Sequence, residues 1–356
     1  MPEVRKAFDE RVIESTTAAL ELFSIYLGRK LGLYETISES GPIGEAELAA
    51  RTGIAGRYAR EWLEQQAVAG FLTVTHPSAE PTDRRYGLSD EQEALLVRPD
   101  DPLHVSPLAS LVVGIGQTLP KVLAAYRSGD GVSFADYGED VRDGQGAINR
   151  PAFTHDLVGS WIPAVPEVHE RLTSGQAVRV ADVGCGQGWA AIAVARAWPN
   201  AEVFGIDSDG ASIEDARRFA GAESVDVRFE HADAERLSEL GPFDLVLILE
   251  VLHDLAHPVE ILSAVRKALA PQGVLLVADE QVADAFTAPG DHLERMMYGW
   301  SITHCLLTTM TEKPTAAIGT VIRPSKVQAL ASEAGFTGFE VVDVDAGFFR
   351  LYRITR

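Results

Sequence analysis

The sequence predicts an α/β protein whose carboxy-terminal half is a Rossmann-like, mainly parallel sheet and whose amino-terminal half is a smaller, mostly helical domain. Three observations predict it. Val178–Asp207 reads as one βαβ unit: a buried-strand run (Val178 to Val183), a turn with glycine at 184, 186 and 188, a helix (Ala190 to Ala197) and a second run ending on Asp207. Further strand-length apolar runs follow at Val225 to Glu230, Phe243 to Leu249 and Val274 to Glu280. Before Gly70, apolar residues instead recur at helical spacing.

The 356 residues suit about two domains, and a 46% hydrophobic fraction suits a globular protein. Three segments are expected: 1–100, 101–174 and 175–356. The first ten residues lack an apolar signal core, no stretch reads as a membrane span, and Cys185 and Cys305 give no disulfide framework, so a reducing cytoplasm is expected.

In the first segment, Ala18 to Leu33 carries Leu20, Phe23, Ile25, Tyr26, Leu27 and Leu31 at helical spacing. Gly44–Gly53 and Gly56–Gly70 then read as two helices around a tight turn, a helix-turn-helix pattern. Phe71–Thr75 and Tyr86–Leu88 supply the paired strands of a wing. A winged helix raises the question of DNA. The charges on its second helix, Arg57, Arg60, Glu61 and Glu64, cancel, and the net charge of −21 opposes phosphate binding, so nucleic acid is not an expected partner.

In the middle segment, Pro107 to Tyr126 reads as a helix and Ser128 to Gly138 as a loop. Arg150 to Leu172 reads as a second helix, carrying Phe153, His155, Trp161 and Val165, that Pro163 and Pro166 must kink or divide.

The third segment carries the chemistry. Gly184, Gly186 and Gly188 permit a tight turn with close backbone approach to a ligand, and Asp207 ends a strand where a carboxylate can accept hydrogen bonds from both hydroxyls of a ribose. The dinucleotide fingerprint would require glycine where Trp189 stands, so a pyrophosphate site is disfavoured. Past the fourth strand, Leu249–Pro258 contains Glu250, His253, Asp254 and His257. A neutral imidazole there suits proton abstraction; the competing reading is that His253 and Asp254 only hold the loop. His253 and His257 mimic metal-ligand spacing, but Pro258 reads as the first residue of a new helix, so the two would not share a face and no metal is expected. Asp291 to Met310 is dense in large side chains, among them Met297, Tyr298 and His304, and is expected to line an apolar acceptor pocket. Phe339–Val344 and Phe348–Ile354, joined at Ala346-Gly347, read as antiparallel closing strands.

Asp182-x-Gly184-x-Gly186-x-Gly188 with Asp207, then His231-Ala-Asp233-Ala234 and Phe243–Leu249, resembles the ordered motifs of the class I S-adenosylmethionine (SAM) methyltransferases. The resemblance implies a seven-stranded sheet whose last pair is antiparallel. It also implies a cofactor site of Asp182, Gly184, Gly186, Gln187, Gly188, Asp207, Ser208, Asp233, Ala234 and Glu250. His253 and Asp254 match the His-Asp pair of small-molecule O-methyltransferases, in which the histidine is the general base; Leu255 stands where those enzymes usually have Trp. In such enzymes the region equivalent to the middle segment caps the pocket, which makes Tyr137, Phe153 and Trp161 candidates for its wall. The overall plan is similar to plant and polyketide O-methyltransferases, whose winged helix dimerises and encloses substrate. Gly28–Tyr34, Arg57–Leu63 and Glu333–Phe336 are similar to a bacterial family, with mycobacterial members, of winged-helix SAM methyltransferases.

The expectation is therefore a SAM-dependent methyltransferase, yielding S-adenosylhomocysteine, that acts on oxygen, with nitrogen as second choice, of a hydrophobic small molecule. It would be a cytoplasmic homodimer through its amino-terminal domain. The alternatives are a SAM-sensing winged-helix regulator and an enzyme that retains SAM for other chemistry.

Overall fold

A computed structural model describes residues 8–356. The chain divides into two compact units, one running to Val113 and including Asp143–Pro151, the other comprising Gly114–Arg142 and Ala152–Arg356.

The first unit opens with the helices Phe8–Lys30 and Leu33–Ser40, followed by Glu45–Thr52 and Gly56–Val68. β1 (Thr73–Thr75) and β2 (Arg85–Gly87) pair antiparallel, with Val74 opposite Tyr86, as the expected wing. The core gathers Ile25, Leu33, Tyr34, Ile37, Leu48, Trp62 and Leu63. Tyr34 meets Trp62 edge-on at 5.2 Å and donates to Gln66 Oε1, while the Trp62 indole donates to Ser24 O at 3.0 Å. A methyl at Gly28 would fall 2.4 Å from the Tyr34 ring, so glycine there lets the first helix close on that pair. On the second helix of the helix-turn-helix, Arg57 pairs with Glu61 and Arg60 with Glu45.

The second unit is built on a seven-stranded sheet ordered β5-β4-β3-β6-β7-β9-β8. Its strands are β3 (Val178–Val183), β4 (Ala201–Asp207), β5 (Arg228–His231), β6 (Phe243–Leu249), β7 (Leu269–Glu280), β8 (Gly338–Val341) and β9 (Phe349–Thr355). β3 to β7 run parallel, and β9 inserts antiparallel between β7 and β8. Period-two alternation splits the core. Val178, Val180, Leu245, Leu247 and Leu276 face one layer with the helices Ala152–Trp161 and Trp189–Ala197; Ala181, Val183, Val246, Ile248 and Val277 face the other with Pro258–Ala268 and Pro324–Glu333.

Several boundaries differ from the sequence reading. β5 starts at Arg228 rather than Val225, because the Val225 N–H bonds back to Ala220 O at the end of the preceding helix. β7 begins five residues earlier than its apolar run. The region read as one helix from Arg150 is three pieces: Gly138–Pro151, a π-helical Ala152–Trp161, and Pro166–Thr173, with Pro166 at the first turn as its ring requires. Although the sequence is read as holding no membrane span, the helix Leu108–Ser128 is long and apolar enough to cross a membrane by length and composition; 44% of its apolar window is buried.

Trp161 is fully buried and meets Phe349 edge-on at 5.4 Å. Its truncation to alanine is expected to destabilise the protein by about 3–5 kcal/mol, read as a lower urea midpoint at unchanged m-value.

Candidate active site

Side chains capable of chemistry converge at the carboxyl ends of the parallel strands, the edge at which open α/β sheets bind ligands. Asp182 lies at the end of β3, Asp207 ends β4, Glu250 follows β6, and Asp279 and Glu280 end β7.

The turn after β3 holds Gly184, Gly186 and Gly188 at φ 70°, 50° and 82°, the left-handed region that glycine alone enters freely. A Cβ at Gly184 would fall 2.6 Å from Val251, so the turn can pack against the segment after β6 only as glycine. A Cβ at Gly186 would meet nothing within 4 Å. Gly186 therefore presents bare backbone to open space. Its N–H, and that of Asp209, donate to the Asp207 carboxylate at 2.7 and 2.8 Å. Gln187 donates to Asp215, which Arg142 and Arg218 also hold.

Asp182 is buried and its Oδ2 has no hydrogen-bond partner. Burial, then the nearby Asp207 charge, pushes its pKa up to about 7. Burial likewise raises Asp207, opposed by its two backbone donors. A pair of desolvated acids beside an open glycine backbone fits a ligand bearing both ribose-like hydroxyls and positive charge. Ser208 approaches His231 through its carbonyl, at 3.1 Å from Nε2. Asp233 stands exposed before the short 3-10 turn Ala234–Arg236. Glu250 adopts φ 58°, a rare left-handed backbone for a non-glycine residue, and its N–H donates to Ala278 O at 2.8 Å.

His253 sits on a short 3-10 turn, Leu252–Asp254, its side chain 3% exposed. Its Nδ1 lies 2.5 Å from Asp279 Oδ1 and 3.4 Å from Glu280 Oε2, and its Nε2 lies 3.4 Å from Asp254 Oδ1. Burial alone would lower the imidazole pKa; Glu280, Asp279 and Asp254 outweigh it and raise it well above the ordinary value. Against burial, the imidazolium holds Asp279 below the usual carboxylate range. Burial together with the Asp279 charge drives Glu280 well above it. The cluster thus couples a His253 ring favoured in its charged form to Asp279, which holds its Nδ1, and to Glu280, whose charged form burial disfavours.

Around it, the π-helical turn Ser301–Cys305 brings in His304 and Cys305. His304 is neutral, its pKa lowered to about 4 by burial and then by His253. The Tyr137 and Phe134 rings meet it edge-on at 4.5 and 5.9 Å, and Tyr137 Oη donates to Thr303 O at 2.8 Å. Cys305 Sγ is 3.5 Å from His304 Nδ1, and burial, then Asp254, pushes its thiol up to about 12.

The structure brings Asp182, the glycine turn and Asp207 together, and separately His253 with Asp254 and Tyr137 with His304. Phe153 and Trp161 instead pack on each other at 6.3 Å in the core of the sheet's first layer. Met297 is buried, and Tyr298 is 39% exposed. His257 is apart from His253's cluster in its own pairing with Glu312. Sequence reasoning missed Asp279 and Glu280, and placed Cys305 only within the Asp291–Met310 segment expected to line a pocket. The signal for the first two was the adjacency of β6 and β7, in which Leu249 pairs with Ala278, so that the residues just beyond face the post-β6 loop.

Residues 174–335 match the family described as "Methyltransferase domain", and residues 18–98 match the "Rv2258c-like winged HTH domain". The chain carries a methyltransferase domain behind a winged helix-turn-helix domain. Its fold is that of the class I SAM-dependent methyltransferases. The mitomycin 7-O-methyltransferase MmcR superposes with a TM-score of 0.69 at 20% identity, over 98% of this chain and 97% of that one. Human N-acetylserotonin methyltransferase, solved with SAM, superposes with a TM-score of 0.68 at 17% identity, over 100% and 99%. A ubiquinone biosynthesis O-methyltransferase from Caulobacter sp. (strain K31) is 34% identical over 108 residues, 30% of this chain. The match spans only 42% of that relative, and 60% of the corresponding enzyme from Maricaulis maris, which is 28% identical.

A cationic group brought to Asp182 favours the ionised carboxyl, so binding is coupled to proton loss from a group of pKa about 7. SAM affinity is expected to rise between pH 6 and 8, approaching about tenfold per unit below the pKa. Asp182→Asn should flatten that dependence in calorimetric titrations, whereas an equal slope in the variant would exclude Asp182 as its source.

Proposed function

We propose that the protein is a SAM-dependent methyltransferase that methylates an oxygen of a hydrophobic small molecule, with His253 as general base. The observation that carries this reading is the buried imidazole held at Nδ1 by Asp279, on the loop that packs directly on the glycine turn. When bound, SAM supplies a methyl carbon already activated by its positive sulfur. Asp207 would hold the ribose hydroxyls, Asp233 and Ala234 the adenine edge, and the Gly184–Gly188 turn with Asp182 the amino-acid portion; Ser208 and Glu250 flank that site. The protein's further contribution is alignment and exclusion of water. Asp279 orients the ring so that Nε2 faces the acceptor, and neutral His304, Tyr137 and Met297 form its wall. Similarity to enzymes named for O-methylation of small molecules supports oxygen as the attacked atom.

A proton on His253 must leave before the ring can act as a base. The three acids raise its pKa, so the neutral form accumulates only above the range of an ordinary histidine. With an identified acceptor, turnover is expected to climb with pH well past 6.5. Asp279→Asn removes a charge that favours the imidazolium and should move that ascending limb to lower pH. His253→Ala should lower kcat by about 10²–10⁴-fold with SAM affinity retained; an unchanged profile in both variants would sink the base role. Asp207→Ala should lose SAM affinity instead.

The winged helix serves, in this reading, as a dimerisation and substrate-enclosing element rather than a DNA reader. Its cationic side chains Arg57 and Arg60 are already neutralised by glutamates, while Leu20, Phe23 and Leu27 along the first helix and Leu31 just past its end are exposed. A homodimer through that helix, in the cytoplasm, is the accompanying proposal. Leu20→Glu with Leu27→Glu is expected to halve the mass measured by light scattering; an unaltered mass would place the dimer contact elsewhere or remove it.

A further inference from the structure

We infer that His253 Nε2, Asp254 Oδ1 and Cys305 Sγ form a binding site for one thiophilic divalent cation of the zinc class. Their ligating atoms lie within 4.8 Å of one another. The His253 Nε2 to Asp254 Oδ1 separation is 3.4 Å. Bonds of about 2.0–2.2 Å to nitrogen and oxygen give a tetrahedral edge of about 3.4 Å, so two of the three ligands already stand at the spacing that zinc requires. Asp254 Oδ1 is buried, and the free, buried Cys305 thiol lies within 4.8 Å of both other ligand atoms as the third corner.

The opposite ring nitrogen strengthens the assignment. Metal-ligating histidines commonly donate their other N–H to a carboxylate, which fixes the tautomer and raises the basicity of the ligating nitrogen. Asp279 takes that place on Nδ1. The alternative grouping, His253 with Asp279 and Glu280, fits less well: Nδ1 and Asp279 Oδ1 stand 2.5 Å apart, about 0.9 Å short of a tetrahedral edge and already joined by a hydrogen bond. Sulfur, imidazole nitrogen and one carboxylate select zinc-like ions over magnesium or calcium. Three protein ligands leave the fourth position open.

Binding exchanges the Cys305 S–H and the His253 Nε2–H for metal bonds and releases both protons to solvent, with no change in oxidation state. The cation therefore takes the lone pair that a general base would use, and zinc inhibits methyl transfer. That consequence rests on the base role of His253; the binding itself does not.

The test is titration of the full chain with Co²⁺, followed by displacement with Zn²⁺. One equivalent should produce a thiolate-to-cobalt charge-transfer band in the near ultraviolet that zinc abolishes. Cys305→Ser should eliminate the band and Cys185→Ala should retain it. Asp279→Asn should weaken zinc by about 10–100-fold, and Asp254→Asn, at a partly exposed side chain, provides a ligand variant that leaves the buried core intact. No band in the wild-type protein, a band surviving Cys305→Ser, or zinc affinity unchanged in Asp254→Asn would each overturn the site. Because the readout is a spectrum, a protein that transfers no methyl group would still give it.

Discussion

The arrangement of the carboxyl edge depends on one contact, Val251 against the bare backbone of Gly184. A side chain at 184 would collide with Val251 at 2.6 Å, so this glycine is the condition for the post-β3 turn and the post-β6 loop to lie together. The first of these carries the acids Asp182 and Asp207 within its reach, and the second carries Glu250, His253 and Asp254. That contact sets the two strand ends side by side. The left-handed Glu250, tied to Ala278 O, aims the second loop toward the first and toward the end of β7.

Much of this was legible in the sequence because it is written locally. Strands β3, β4 and β6 announce themselves as short, mostly apolar runs broken only near their ends by Arg179 and Asp182, Glu202 and Asp244, since a parallel strand is buried on both faces, and Asp207 stands out as the charge at the carboxyl end of one. Pro258 marked the start of its helix for the same kind of reason: its ring fixes the dihedral that a first turn needs. The surroundings of His253 were less legible. Asp279 and Glu280 lie 26 and 27 positions beyond His253 and become its neighbours only through the register of β6 with β7, which no local pattern encodes. Trp161 shows the converse. A large aromatic on a capping segment reads equally as pocket wall or core, and only the place of β9 in the sheet, which sets Phe349 against it, decides for core.

The winged-helix unit separates architecture from chemistry. Its helix-turn-helix and wing follow from helical periodicity, a tight turn and two short strands, whatever the domain binds. What distinguishes a reader of DNA is free positive charge. Here Arg57, Arg60 and Arg84 are each paired with a glutamate, and the remaining prominent feature of the unit is an apolar stripe on its first helix. That surface suits protein contact better than phosphate.

The electrostatics of the second unit give the same kind of argument in the opposite direction. Asp182, Asp207, Asp279 and Glu280 are withdrawn from water at one sheet edge, and the charge facing the last two is a single imidazolium. Burying carboxylates without compensation is unfavourable, and it pushes Asp182 up to about 7 and drives Glu280 well above the usual carboxylate range. Such a site is under-supplied with positive charge, and the arrival of a cation lets the retained protons go. The acidity that would be a liability in an isolated protein is, in the proposed function, what favours a positively charged methyl donor at Asp182. At His253 and Asp254 the same shortage leaves room for a metal cation.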